Sequence, residues 1–147
     1  MSNIAITIGR INIYWYSILI LTGAVIAYII STNLDEACRY LRRKAHKKST
    51  GYCAKYVADA LEHAGFRFTR QGSAYQYHTN GILRKMGFRQ ISSGSHRTGD
   101  IYVQDRTSTH KHGHMAMYCG QWVSDFFQRT NQVYSRDRGA IYYYRYG

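Results

Sequence analysis

Two residues far apart in the chain have the chemistry of a nucleophile and its base. Cys53 follows the tract Ser49-Thr50-Gly51-Tyr52, whose hydroxyl residues are typical of a helix start, and an amphipathic segment comes after it. A helix N-terminus favours the reactive thiolate through its partial positive charge and its unpaired N–H groups. His114 opens the apolar run HMAMY, which is typical of a core strand. The pair therefore predicts a nucleophilic cysteine with a histidine as general base.

A third polar group is needed to orient the imidazole and to stabilise its protonated form. If the chain turns at Gly120, Asp125 lies on the strand beside His114, because cross-strand neighbours are about 5 Å apart. Asp100, at the start of another predicted strand, is the competing carboxylate. We therefore predict that Cys53, His114 and Asp125 are the catalytic residues.

Helices come first and strands second in the part of the chain that must position these groups. Apolar spacing predicts helices over about 34–45, 52–64 and 74–86, of which the first is capped by Asn33 and the last is weakened by Gly81. Alternating apolar runs predict strands over 100–104, 114–119, 121–126 and 140–146. This order predicts an α+β domain in which helices pack on an antiparallel sheet.

An uncharged stretch, residues 11–33, precedes this domain. It is about as long as a helix that crosses a bilayer, which needs roughly 20 residues. Tyr14, Trp15, Tyr16 and Tyr28 resemble the aromatic residues found at membrane interfaces. We predict a hydrophobic N-terminal helix acting as a membrane anchor in residues 1–33 and a hydrolase domain in residues 34–147. A cleaved signal peptide and a buried core helix are the alternatives.

The composition restricts the partners. The chain has 20 Lys and Arg against 8 Asp and Glu, a formal net charge of +12. Such an excess favours nucleic acid, anionic lipid or a cell wall with carboxylates and phosphates. The 15 tyrosines occur largely in strand-like runs, which favours sheet packing over base stacking, so nucleic acid is not the predicted partner. The three cysteines form no framework pattern; a Cys38–Cys119 pair stays open and would leave Cys53 free.

Three segments, STGYCAKYVADALEHAG, GDIYVQ and HGHMAMYCGQWVSDF, resemble NlpC-type and CHAP-type cell-wall cysteine peptidases. They are especially similar to small peptidoglycan amidases delivered by type VI secretion. The resemblance implies a papain-like core that cleaves amide bonds of peptidoglycan peptide stems, with Cys53, His114 and Asp125 as nucleophile, base and third residue. Gly51 and Tyr52 fall beside the nucleophile, where oxyanion or substrate contacts are expected. The resemblance also implies an antibacterial effector with an immunity partner, working in the cell envelope or periplasm.

Two other functions stay open on the residues alone. His110, His112 and His114 alternate, so an extended chain would present all three on one face, as in a zinc site. A catalytic zinc needs an open position and a second shell that the sequence does not display, so we predict no metal and no cofactor. The second alternative is a basic, membrane-tethered binding protein without catalysis.

Overall fold

The structure is a computed structural model that describes residues 4–8 and 11–147, with side chains described for 21–26, 28–29 and 33–147. The chain divides into two compact units, Met1–Asn33 and Leu34–Gly147. Strands β1 (Ile4–Ile8) and β2 (Ile11–Tyr14) form an antiparallel pair, and helix α1 (Trp15–Lys44) follows.

The N-terminal prediction differs from this arrangement in two respects. Residues 11–14 are a strand rather than the beginning of a helix. Asn33 lies inside α1 instead of capping a new helix, because no glycine or proline after Gly23 interrupts the helix before Lys44. Within the described part of the chain, no helix is both long and apolar enough to span a bilayer. The side chains of Tyr14, Trp15 and Tyr16, predicted as interface aromatics, lie outside the described residues.

The helices of the second unit bury one face each. Helix α1 buries Leu34, Ala37, Cys38 and Leu41, at the predicted spacing. Helix α2 (Cys53–His63) buries Val57, Ala58, Ala60 and Leu61. The predicted helix over 74–86 is instead two short helices, α3 (Gln76–Thr79) and α4 (Ile82–Lys85). Gly81 separates them with a left-handed φ of 65°, a conformation that costs glycine least.

Five strands form an antiparallel sheet in the order β3–β7–β4–β5–β6. They are β3 (Phe88–Ile91), β4 (Ile101–Gln104), β5 (His114–Tyr118), β6 (Trp122–Val123) and β7 (Ile141–Tyr146). Helix α2 packs against β5, which sets the start of the helix beside the start of that strand. The α+β class is confirmed. Strand β3 was not predicted, because this edge strand exposes Arg89 and Gln90 and lacks a clean apolar alternation.

A disulfide joins Cys38 of α1 to Cys119, one residue beyond β5. The two cysteines are 81 residues apart in sequence, and Cys53 is the free cysteine. The bond therefore ties the helix to the turn between β5 and β6, while the thiol at the start of α2 remains available for chemistry.

Replacing Cys38 with Ala is expected to lower the free energy of unfolding by about 2–4 kcal/mol, because a cross-link that closes a long loop restricts the unfolded chain. Urea denaturation of the oxidised proteins measures the difference. A reducing agent should destabilise the wild type by a similar amount and leave Cys38→Ala unchanged. Equal midpoints for oxidised and reduced wild type would show that the bond adds no stability.

Candidate active site

Cys53 is the first residue of α2, and its thiol faces the backbone of β5. Burial raises the pKa of the Cys53 thiol to about 11, and the charge of Asp125 adds to the rise. Hydrogen bonds with the backbone of Met115, Ala54 and Cys53 itself lower the pKa, but by less. The direction of this shift is opposite to the sequence-based expectation of a stabilised thiolate, because burial disfavours the charged form of the thiol. The thiol is protonated at neutral pH and needs a base.

His114 is buried at the start of β5, and its Nε2 lies 2.7 Å from Oε1 of Gln128. The amide nitrogen of Gln128 donates to the Tyr102 hydroxyl at 2.8 Å and to the Thr130 carbonyl at 3.1 Å. A carbonyl only accepts hydrogen bonds, so the amide nitrogen must face Thr130 and Oε1 must face the imidazole. Nε2 therefore carries the ring proton, and the lone pair of the neutral ring is on Nδ1.

The thiol and the imidazole share one cavity of about 320 Å³, whose walls include Ser49, Phe126 and Tyr134. Burial lowers the pKa of His114, although its hydrogen bond to Gln128 and the charge of Asp125 act in the opposite direction. At neutral pH the cavity thus holds a neutral thiol and a neutral imidazole. This is the protonation state from which a histidine can remove the proton of a thiol.

The carboxylate of Asp125 lies at the entry to α2, where it accepts hydrogen bonds from a short loop. Its Oδ2 accepts from the N–H groups of Thr50 and Gly51 and from the hydroxyls of Ser49 and Thr50. Its Oδ1 accepts from the Ser124 hydroxyl at 3.1 Å. Ser49 and Thr50, predicted as helix caps, are therefore donors to Asp125, and the N-cap residue is Tyr52 without a side-chain hydrogen bond.

The prediction that Asp125 orients His114 is corrected, because Gln128 occupies that position. Strand β6 ends after two residues, and the chain then turns towards His46: the His46 N–H donates to the Asp125 carbonyl at 2.8 Å, and the Phe127 N–H donates to the His46 carbonyl at 3.1 Å. This turn directs Asp125 to the loop before α2. It returns Gln128 to the sheet, where its N–H donates to the Trp122 carbonyl at 2.9 Å.

The competing carboxylate, Asp100, has a structural role at the far end of the sheet. It accepts two hydrogen bonds from the Arg145 guanidinium, at 2.9 and 2.8 Å, and one from the N–H of Arg97. Asp100 precedes β4, whereas His114 pairs with Gln104 at the opposite end of that strand. Asp100 therefore links β7 to the turn before β4 and does not reach the imidazole.

Gly51 and Tyr52, the predicted oxyanion or substrate residues, have different surroundings. The Gly51 N–H is engaged by Asp125 at 3.0 Å, so it is not free to stabilise an oxyanion. Tyr52 is 61% exposed and borders another cavity, on the other side of Cys53, that is lined by Lys55 and Arg70. The first turn of a helix lacks intrahelical acceptors, which makes the N–H groups of Cys53 and Ala54 better suited to an oxyanion.

The three alternating histidines line one cavity but have different partners. His110 stacks on Tyr134 with ring centroids 3.5 Å apart, and His112 Nδ1 lies 2.7 Å from the Ser73 hydroxyl. His114 is held by Gln128. In the residues that the structure describes, no group of three His, Cys, Asp or Glu is placed to hold a metal.

Asp125→Ala is expected to lower the free energy of unfolding by about 2–4 kcal/mol, because the N–H groups of Thr50 and Gly51 lose their acceptor. Thermal or urea denaturation measures the loss, and Asp35→Ala, which removes an exposed carboxylate, is the matched control. Burial raises the pKa of Asp125, but the hydrogen bonds from Thr50 and Ser124 hold it below its usual range.

A group with a depressed pKa stabilises the fold above its unfolded pKa and loses that contribution as the pH falls through its folded pKa. The stability difference between wild type and Asp125→Ala should therefore be full near neutral pH and shrink below about pH 4. A stability difference that does not change with pH, or equal stability of the two proteins, would contradict the role of Asp125 as the hydrogen-bond acceptor of this loop.

Two solved structures are similar to this chain, and both are of the type VI effector–immunity complex Tae3–Tai3 from Ralstonia pickettii. The native complex aligns with a TM-score of 0.66 and 30% identity, over 78% of this chain and 98% of the other. The selenomethionine complex aligns with a TM-score of 0.65 and 34% identity, over 75% of this chain and 99% of the other. No protein-family model and no curated protein matches the chain.

The α+β fold and the alignment along nearly the whole length of both neighbours show that this chain has the fold seen in that type VI complex. The sequence identities of 30% and 34% over that length are high enough to show a common family. The chain belongs to the family of the effector Tae3.

Proposed function

We propose that this protein is a peptidoglycan amidohydrolase in which Cys53 is the nucleophile, His114 the base and Gln128 the group that orients the base. The observation that carries the proposal is the hydrogen-bond chain through Gln128. Its two donated bonds, to Tyr102 and to Thr130, fix the amide so that Nε2 of His114 is protonated and Nδ1 is free.

In the proposed reaction, Sγ of Cys53 attacks the carbonyl carbon of an amide while Nδ1 of His114 takes the thiol proton. The oxyanion is stabilised by the N–H groups at the start of α2. The imidazolium then gives its proton to the amine nitrogen as the C–N bond breaks, which leaves a thioester on Cys53. Water, deprotonated by His114, attacks the thioester and releases a carboxylic acid and the free thiol.

The protonation states of Cys53 and His114 before the reaction determine when the thiol proton moves in this mechanism. Because the thiol pKa is raised and the imidazole pKa is lowered by burial, proton transfer between them accompanies the attack and does not precede it. Gln128 contributes by stabilising the imidazolium, since its carbonyl oxygen accepts the Nε2 proton.

Peptidoglycan is the proposed substrate, and an antibacterial effector is the proposed role. The support is membership of the Tae3 family, together with a net charge of +12 that suits a wall with carboxylates. Both similar structures are effector–immunity complexes, which supports an immunity partner for this protein. We further propose a papain-like core of the NlpC and CHAP type and action in the cell envelope. A membrane anchor in residues 1–33 stays a prediction.

The test is mass spectrometry of purified peptidoglycan fragments after incubation with the protein. Amide hydrolysis should add one water and create a new amine and a new carboxyl terminus within a peptide stem. A matched incubation with Lys85→Ala, a substitution of an exposed residue outside the cavities around Cys53, should give the same products. Intact fragments with a folded wild-type protein would contradict the proposed function.

A further inference from the structure

A second cavity, of about 390 Å³, opens next to the one that contains Cys53 and His114. Lys47, Lys48 and Arg129 line it together with Phe127. The two cavities share the wall residues Ser49, Phe126 and Val133. A molecule with its scissile amide at Cys53 can therefore extend along Phe126 and Val133 into this second cavity, which we call the basic cavity.

The cations of the basic cavity are not neutralised by the protein. In the described part of the chain, which contains all eight Asp and Glu residues, no carboxylate lines either of the two connected cavities. Within that part, Lys47, Lys48 and Arg129 also form no ion pair. Three exposed cations therefore line one cavity without an ion-pair partner among the described residues, although like charges repel one another.

The cavity on the other side of Cys53 is different. It is lined by Lys55 and Arg70, but both are paired: Lys55 with Asp59 at 2.9 Å, and Arg70 with Asp59 and Glu62. Its positive charges are thus largely compensated within the molecule. In the described residues, the Lys and Arg side chains of this cavity are therefore paired with carboxylates, whereas those of the basic cavity are not.

We propose that Lys47, Lys48 and Arg129 form a subsite that binds a carboxylate of the peptide stem while the scissile amide lies at Cys53. The inference rests on the proposed function and adds the direction and the charge of the substrate. Arginine and lysine bind carboxylates through charge-assisted hydrogen bonds. Phe126 and Val133, between the two cavities, offer an apolar surface for the small side chains of a stem peptide.

The first experiment measures binding without turnover. Two synthetic stem peptides that differ only in whether their carboxylates are free or amidated are titrated into Cys53→Ala by calorimetry or NMR. The free-carboxylate peptide should bind roughly tenfold more tightly, as expected for a few exposed charge pairs of modest individual strength, and the difference should shrink at high salt. Equal binding of the two peptides would overturn the subsite.

The second experiment locates the charge. The substitutions Lys47→Gln, Lys48→Gln and Arg129→Gln, introduced together, should abolish the preference for free carboxylates and leave the amidated peptide unaffected. The matched control is Arg67→Gln, Lys85→Gln and Arg97→Gln, which removes the same number of charges from exposed residues outside these cavities. If both triple variants lose the preference equally, the effect is one of net charge and the subsite is refuted. Arg129→Gln alone should give an intermediate loss.

The same peptides separate the failure of this inference from the failure of the proposed function. Hydrolysis of both peptides by the active protein with equal kcat/KM would refute the subsite and leave the hydrolase intact. Carboxylate-dependent binding by Cys53→Ala without cleavage of either peptide by the active protein would support the subsite and contradict the hydrolase. The inference predicts cleavage with a kcat/KM about tenfold higher for the free-carboxylate peptide.

Discussion

Cys53→Ala is expected to reduce the rate of peptidoglycan cleavage by roughly 10⁴-fold or more, because the reaction loses its covalent nucleophile. The protein is expected to stay folded. Alanine retains the Cβ at the first position of α2 and removes a single partly buried sulfur atom. The helix depends on the packing of Val57, Ala58 and Leu61 more than on the thiol. Release of soluble fragments and the urea midpoint are measured on the same preparation.

Cys53→Ser is the informative companion variant, because it keeps a proton donor of similar shape. Its hydroxyl is a much weaker nucleophile at this site, so activity should stay close to that of Cys53→Ala. The wild type in its oxidised form should titrate with one thiol per chain after denaturation, and both variants with none, since Cys38 and Cys119 are bonded to each other. Full cleavage by a folded Cys53→Ala protein would remove the nucleophile from the mechanism.

Local signals were enough to predict the positions of Cys53 and His114. Hydroxyl residues before an amphipathic run mark a helix start, and an apolar run opening with histidine marks a strand. The helix predicted from about residue 52 begins at Cys53, and the strand predicted from residue 114 begins at His114. Their packing brings the two side chains into one cavity.

The third group could not be predicted from such signals. Whether Asp125 or Gln128 reaches the imidazole depends on where β6 ends, and the alternation QWVSDF continues past that point. The turn is set by backbone hydrogen bonds with His46, which is distant in sequence. Gln128 follows two phenylalanines in FFQRT, and a single polar residue after an apolar pair is a weak signal of a buried functional group.

The protonation states of Cys53 and His114 also could not be predicted from the sequence. A thiol at a helix start predicts a lowered pKa when only the helix and the nearby lysines are considered. The raised pKa of Cys53 arises from burial and from the charge of Asp125, and both depend on tertiary packing. The same packing lowers the pKa of His114, which supports neutral partners in the mechanism that we propose.

Gln128→Leu is expected to lower kcat by roughly 10²-fold, within the range for general acid–base catalysis, with a smaller change in KM. Leucine is close to glutamine in size but accepts no hydrogen bond, so Nε2 of His114 loses its partner and the imidazole loses its fixed tautomer. Asp125→Asn should instead keep most of the turnover at a temperature where it is folded. The reverse order of the two effects would return the orienting role to Asp125.

The pH profile separates an orienting role for Gln128 from a merely structural one. Only the neutral imidazole accepts the thiol proton, so kcat/KM should fall on the acid side of the His114 pKa, below about 6.5 in the wild type. Burial lowers that pKa, and the hydrogen bond that Nε2 of His114 donates to Gln128 raises it, so loss of this bond in Gln128→Leu should move the acid limb to lower pH. In Gln128→Glu a carboxylate still accepts from Nε2 and favours the imidazolium, which should restore part of the turnover and move the acid limb to higher pH. Shifts of opposite sign in the two variants are the result expected for a hydrogen-bond partner of the titrating ring. A limb that does not move in either variant would show that Gln128 only supports the fold.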